Sequence, residues 1–98
     1  MYAERTTVVN ETGLHARPAG QLAQTAKTFS CAVTVRNVSS PGAPVNAKSL
    51  TRIMGEDFIQ GSVIEVAADG DDEKSAVKAL IALIDSGFAA SPDGETGS

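Results

Sequence analysis

Aromatic side chains are scarce in this sequence: three phenylalanines, one tyrosine and no tryptophan among 98 residues. So few rings leave little for a surface on which nucleobases could stack. Lysine and arginine are also in the minority, at 8 against 12 acidic residues, for a formal charge of −4. Nucleic-acid binding needs clustered basic side chains, so we expect no nucleic-acid partner and favour proteins or small anions instead.

Cysteine and histidine occur once each, as Cys31 and His15. One cysteine cannot form an internal disulfide, and the pair makes no cluster of zinc ligands, so we expect neither metal nor cofactor. No run approaches the roughly 18 apolar residues of a membrane span. The start, MYAERTTVV, lacks the basic and apolar regions of a secretory signal. We therefore expect a cytoplasmic protein without direct membrane insertion.

Hydrophobic periodicity predicts one α+β domain over residues 1–88, with elements in the order β, α, β, β, α, β, α. The predicted strands cover residues 2–9, 31–36, 45–47 and 62–67; the predicted helices cover residues 16–28, a short stretch from Leu50, and residues 72–86. We expect the three helices to lie on one face of a four-stranded sheet whose other face is largely polar. Residues 89–98 have no apolar side chain larger than alanine and are expected to be disordered.

The predicted helices each carry one apolar stripe and recognisable ends. The stripes consist of Ala19, Leu22, Ala23, Ala26 and Phe29 or Ser30 in the first helix, and Val77, Leu80, Ile81, Ile84 and Phe88 in the third. Ser49 is expected to cap the second helix, and the acidic ADGDD turn to cap the third.

The stretch GLHARPAG, residues 13–20, places His15 where a loop becomes a helix. Pro18 suits a first helical turn, which puts His15 at or near the N-cap. The free N–H groups there, from Ala16 and Arg17 onward, form a site for an anion, and the Arg17 guanidinium adds a charged fork for phosphate oxygens. Gly20 is expected to permit close packing. These residue types suit a histidine that is phosphorylated.

The same residues also fit a plain helix cap, with His15 capping and Arg17 solvated. A serine hydrolase is disfavoured, because the Gly-x-Ser-x-Gly motif is absent.

At GLHARPA the chain resembles the histidine-containing phosphocarrier (HPr) family of the bacterial phosphoenolpyruvate-dependent sugar phosphotransferase system. The resemblance continues at Asn46-Ala47-Lys48-Ser49 and at Gln60-Gly61, and extends over residues 3–88. It implies the HPr fold, an open-faced two-layer sandwich with an antiparallel sheet. It also implies that His15 is phosphorylated on Nδ1 by enzyme I and passes the group to enzyme IIA, that Arg17 stabilises the phosphate, and that the protein has no turnover of its own.

Ser49 matches the serine that a kinase phosphorylates in many relatives, which would bring an HPr kinase/phosphorylase and a transcriptional regulator in as partners. Beside it, Thr51 and Arg52 stand where the family usually has a large apolar residue and glycine, so the docking patch is more polar and more basic. The loop of residues 38–45 is also longer than in typical relatives. The expected docking residues are Leu50, Thr51, Arg52, Met54, Gln21 and Lys27.

Two other functions stay open at this point. One is a regulatory module that binds proteins according to phosphorylation at His15 or Ser49. The other keeps the chemistry but places it in a nitrogen-related or dihydroxyacetone-linked relay. A monomer is the simplest expectation, since a carrier must expose one face to successive partners.

Overall fold

The strands and helices follow one another in the predicted order in a computed structural model, which describes residues 1–9, 16–39, 43–56 and 58–88. The strands are β1 (Tyr2–Thr7), β2 (Ala32–Asn37), β3 (Val45–Asn46) and β4 (Val63–Asp69), and the helices are α1 (Ala16–Lys27), α2 (Leu50–Met54) and α3 (Glu73–Asp85). Each bound lies within two residues of the predicted one. The expected disordered tail, residues 89–98, lies outside the described residues.

The four strands form one sheet in the order β1-β4-β2-β3, and every neighbouring pair is antiparallel. The late strand β4 lies between β1 and β2, so the sheet joins the beginning of the chain to its second half. The predicted α+β sandwich with three helices is therefore confirmed.

The two faces of the sheet differ in chemistry because side chains alternate along each strand. Ile64 and Val66 of β4 point into the core and are fully buried, as is Val35 of β2. The other face carries a row of charge at its centre, where Arg5, Glu65 and Arg36 are directly opposite one another on three strands. Glu65 Oε2 accepts from Arg5 Nε at 3.2 Å and Glu65 Oε1 from Arg36 Nη2 at 3.1 Å.

These bonds from Arg36 and Arg5 hold the pKa of the Glu65 carboxyl below its ordinary value. The three charged side chains of this row therefore pair with one another on a sheet face that none of the described helices covers.

The helices bury the predicted stripes. In α1 the buried apolar residues are Ala19, Leu22, Ala23 and Ala26, and in α3 they are Ala76, Val77, Leu80 and Ile84. Ile81 is only partly buried, as is Phe29, which follows the end of α1. The four buried residues of the α1 stripe belong to the same core cluster as those of α3 and the sheet, so the orientation of α1 is set by apolar packing along its length.

The sequence predicted Phe88 on the apolar face of α3. This was wrong, because the helix ends at Asp85. Gly87 then adopts a left-handed conformation with φ of 67°. The N–H of Gly87 donates to Ile84 O at 2.9 Å and that of Phe88 to Leu83 O at 3.1 Å. This pattern is the Schellman helix end, which folds Phe88 back so that it is buried beyond the helix.

The predicted acidic cap of α3 is also different in the structure. Asp72 occupies the N-cap position but makes no side-chain bond to the helix. Its carboxylate instead accepts the backbone N–H groups of Ser30 and Cys31, at 3.1 and 3.2 Å. Glu73, the first helical residue, accepts the N–H of Gly70 at 3.1 Å. Both carboxylates thus stabilise turns rather than the helix N–H groups.

Candidate functional site

The start of α1 is the centre of the candidate site. His15 lies outside the described residues, and α1 begins at the next residue, Ala16. Arg17 is exposed in the first turn, while Pro18 is buried beside it. The first N–H groups of any α-helix have no acceptor within the helix and carry partial positive charge. The described part of the site therefore joins N–H donors to an exposed guanidinium, one and two residues after His15.

The described residues show no close packing at Gly20, where the sequence predicted it. A Cβ built on Gly20 would meet no described atom within 4 Å beyond its own helix. The small residues that do allow neighbours to approach are the alanines, since Ala19, Ala23 and Ala26 are all buried. Gln21, one of the predicted docking residues, is half-buried, and its Oε1 is shielded from solvent without a hydrogen-bond partner among the described residues.

Helix α2 packs against α1, and Ser49 is its N-cap residue, as predicted. The Ser49 side chain accepts the N–H of Arg52 at 3.3 Å, which is the bond expected of an N-cap serine. Of the apolar residues of α2, Ile53 is fully buried, whereas Leu50 and Met54 are 41% and 47% exposed. The apolar residues of this short helix are therefore one core residue and two surface residues.

The predicted docking residues fall on these two neighbouring helices. Leu50, Thr51, Arg52 and Met54 are exposed on α2, and Lys27 is exposed at the last residue of α1. Arg17 and Lys27 of α1 and Arg52 of α2 are exposed basic residues on these two helices, although the whole chain carries −4. Exposed apolar side chains beside basic ones suit a protein partner with an acidic surface.

Lys48 is a residue whose contact the sequence did not reveal. Its Nζ donates to the carbonyl of Phe29 at 2.8 Å, just beyond the end of α1, and its own N–H donates to Asn46 Oδ1 at 2.9 Å. Lys48 thereby ties the start of α2 to the end of α1. Only the resemblance at residues 46–49 marked this position, because the periodicity of the sequence carries no information about a bond across 19 residues.

The described residues offer little else in the way of chemistry. They contain no group of three or more His, Cys, Asp or Glu side chains placed to hold a metal ion. None of the described helices is both long and apolar enough to cross a membrane. Cys31 is buried, and burial raises the pKa of its thiol, which disfavours the reactive thiolate.

Comparison with known proteins decides the family. The family described as "PTS HPr component phosphorylation site" matches residues 2–86. The chain belongs to the HPr family. Phosphocarrier protein HPr of Haemophilus influenzae is 40% identical over 84 residues, which cover 86% of this chain and 95% of that protein. Phosphocarrier protein NPr of Proteus mirabilis is 43% identical, over 86% of this chain and 91% of the relative.

The fold agrees with this assignment. The crystal structure of HPr-C-His from Thermoanaerobacter tengcongensis superposes with a TM-score of 0.83 at 44% identity, over 91% of this chain and 97% of that one. As a member of the HPr family, the chain is a phosphocarrier of the phosphotransferase system. The plain helix cap is therefore no longer a sufficient explanation of GLHARPA.

Proposed function

We propose that this protein accepts a phosphoryl group on His15 from phosphorylated enzyme I and passes it to a histidine of an enzyme IIA domain during sugar uptake. The observation that carries the proposal is the family match over residues 2–86, which includes GLHARPA. The geometry of α1 supports it, because Ala16 and Arg17 supply the helix N–H groups and the guanidinium directly after His15.

The transfer exchanges one P–N bond for another. An unprotonated ring nitrogen of His15, Nδ1 by family resemblance, attacks the phosphorus, and the donor imidazole nitrogen leaves with the electron pair of its P–N bond. The helix start and the Arg17 guanidinium stabilise the phosphoryl oxygens. The reverse exchange at a IIA histidine releases the group. The protein ends each cycle unchanged, so it acts as a carrier without turnover of its own.

An open site suits two successive partners. We assign their docking to Leu50, Thr51, Arg52 and Met54 of α2 and to Gln21 and Lys27 of α1. The apolar side chains of Leu50 and Met54 are exposed in the free protein and would be buried against a bound partner. The positive charges of Arg52 and Lys27 attract an acidic partner. A monomeric, cytoplasmic domain of residues 1–88 is the simplest form for this relay, since a carrier must expose one face to successive partners.

Ser49 is the proposed regulatory position. Its side chain caps α2 and lies beside Leu50 on the docking helix. A phosphate there adds a charge of roughly −1.5 to −2. That charge opposes an acidic partner, so modification by an HPr kinase/phosphorylase would lower transfer, and the modified form would present a new surface to a transcriptional regulator.

A second candidate is a relay that serves a purpose other than sugar uptake, such as nitrogen-related or dihydroxyacetone-linked signalling. The specific observation in its favour is that the 43% identity to an NPr lies between the 40% and 44% identities to the two HPr proteins, so identity does not separate the two kinds of relative. Thr51 and Arg52 alter the docking patch in a way that suits different partners. A regulatory binding module without transfer is the remaining alternative.

A reconstituted relay tests the proposal. Enzyme I, phosphoenolpyruvate and a IIA domain from the same organism are mixed with trace amounts of this protein, and phosphorylation of the IIA domain is followed. We expect labelling with wild type and with Lys78→Ala, which changes an exposed residue of α3, and none with His15→Ala. Labelling through a nitrogen-type acceptor alone would favour the second candidate, and labelling with His15→Ala would contradict the proposal.

A further inference from the structure

The hydrogen-bond ladder between β1 and β4 continues past the end of β1. After Thr7, the N–H of Val8 donates to Ser62 O at 2.9 Å, and Val8 O accepts from the N–H of Gly61 at 2.8 Å. The chain before β4 does not pair with the described residues beyond Val8 through its backbone, because it turns there: the N–H of Ser62 donates to Ile59 O at 3.0 Å. Gly61 has φ of 91°, a left-handed conformation that glycine adopts at little cost.

The side chain of Gln60 adds one more bond where the backbone ladder stops. Its Nε2 donates to the carbonyl of Val9 at 3.1 Å. Residues 62, 61 and 60 thus hold Val8 and Val9 in succession, and the last of these bonds comes from a side-chain amide.

The side chain of Val9 is held from another direction, at the end of α3. A Cβ at Gly87 would lie 3.4 Å from Val9 Cγ2, so this glycine of the helix end lies against Val9. Val9 is nevertheless 48% exposed. The bond from Gln60 therefore fixes the backbone of Val9, a residue that burial covers only in part.

Val9 is where the segment that carries His15 leaves the described fold. Residues 10–15 connect Val9 to Ala16, and α1 is anchored in the core by its buried stripe. Small displacements of a reacting group reduce its rate strongly. We infer that Gln60 is a positioning residue for phosphoryl transfer, which holds the Val9 end of the His15 segment through the Val9 carbonyl. This inference rests on the proposed function of His15.

A positioning role of Gln60 and a partner-docking role predict different kinetics. Gln60 is exposed, so a direct contact with enzyme I would appear as a raised KM at unchanged kcat. A positioning role instead lowers kcat and leaves KM nearly unchanged, because the bound complex forms normally but reacts less often.

The test compares three variants with wild type. Gln60→Met keeps the length of the side chain and removes the donor, whereas Gln60→Lys keeps a donor for the Val9 carbonyl. Lys78→Met is the matched control, since it removes an exposed side-chain bond to the other end of β1, from Lys78 Nζ to Glu4 Oε2 at 3.3 Å. Steady-state phosphorylation by enzyme I gives kcat and KM for each.

We expect Gln60→Met to lower kcat about five-fold, the change that corresponds to one neutral hydrogen bond of about 1 kcal/mol, with KM within about two-fold of wild type. Gln60→Lys should recover most of the rate, and Lys78→Met should retain it. The C2–H proton of His15, identifiable because the chain has a single histidine, should shift in the NMR spectrum of Gln60→Met and not in that of Lys78→Met.

Each other outcome has a definite meaning. A wild-type kcat together with an unshifted His15 signal in Gln60→Met overturns the positioning role and leaves the relay intact. A rise in KM alone makes Gln60 a docking residue and also overturns it. If wild type itself accepts no phosphoryl group from enzyme I, the proposed function is wrong and the inference falls with it.

Discussion

The carboxylate of Asp72 accepts the backbone N–H of Cys31 at 3.2 Å, which joins the start of α3 to the residue that precedes β2. It also accepts the N–H of Ser30 at 3.1 Å. Hydrogen bonding from Cys31 and from the neighbouring backbone lowers the pKa of the Asp72 carboxyl. One side chain thereby pairs two backbone donors of the loop between α1 and β2.

Asp72→Ala is predicted to lower the melting temperature and to expose Cys31. Without the carboxylate, the N–H groups of Ser30 and Cys31 lose their acceptor, and loss of a partner costs more than formation of the bond contributes. The thiol of buried Cys31 should then react with a disulfide reagent several-fold faster than in wild type. Asp71→Ala, one residue away and exposed, is the control and should match wild type in both measurements. Equal thiol reactivity in the two variants would contradict this role of Asp72.

Two glycines are predicted to respond in opposite ways to alanine. A Cβ at Gly70, where φ is 151°, would lie 2.6 Å from Cys31 Cβ, so Gly70→Ala should destabilise the fold by about 1–3 kcal/mol. Gly20 lies within α1, and a Cβ there would meet none of the described atoms outside its own helix within 4 Å. Gly20→Ala should stabilise by about 0.5–1 kcal/mol through helix propensity. Urea unfolding measures both, and destabilisation by Gly20→Ala would show that its Cβ position is occupied.

The charged row on the open face of the sheet predicts a pH dependence. Because bonds to Arg36 and Arg5 lower the folded-state pKa of Glu65, its contribution is present above the ordinary carboxyl pKa of about 4.3 and is lost as pH falls through the lower folded value. Glu65→Gln should therefore lose roughly 0.5–1 kcal/mol at pH 7, and the loss should shrink as pH falls below the ordinary carboxyl range. Urea unfolding of both proteins at pH 7 and in a series of acidic buffers checks this. A constant difference across pH would contradict the assignment.

Neighbouring residues of α2 are predicted to separate stability from docking. Ile53 is fully buried, so Ile53→Ala should cost about 2–5 kcal/mol of unfolding free energy. Met54 is 47% exposed, so Met54→Ala should leave stability within about 0.5 kcal/mol of wild type while it weakens binding to enzyme I. Calorimetric titration with enzyme I and urea unfolding give the two quantities. Unchanged affinity in Met54→Ala would remove Met54 from the docking surface.

Local patterns in the sequence were sufficient for the elements of the fold. The stripe of Ala19, Leu22 and Ala26 predicted α1, and Ser49 before an apolar turn predicted the start of α2, because both depend on neighbours three or four residues apart.

Relationships across the chain could not be predicted in this way. Asp72 was expected to cap its own helix, yet it pairs with residues 41 and 42 positions earlier. Lys48 and Gln60 likewise make their bonds to residues 19 and 51 positions away. The proposed role of His15 rests on its residue type and its place before a helix, and the family resemblance was needed to choose phosphoryl transfer over a helix cap.

The most direct test of the central claim is the intact mass of wild type and His15→Ala after incubation with the cognate enzyme I and phosphoenolpyruvate, measured before and after mild acid. We predict one added phosphoryl group on wild type that acid removes, and none on His15→Ala, because a phosphate on an imidazole nitrogen is acid-labile whereas one on a serine is stable. No addition to folded wild type, or an acid-stable addition that His15→Ala retains, would contradict the account.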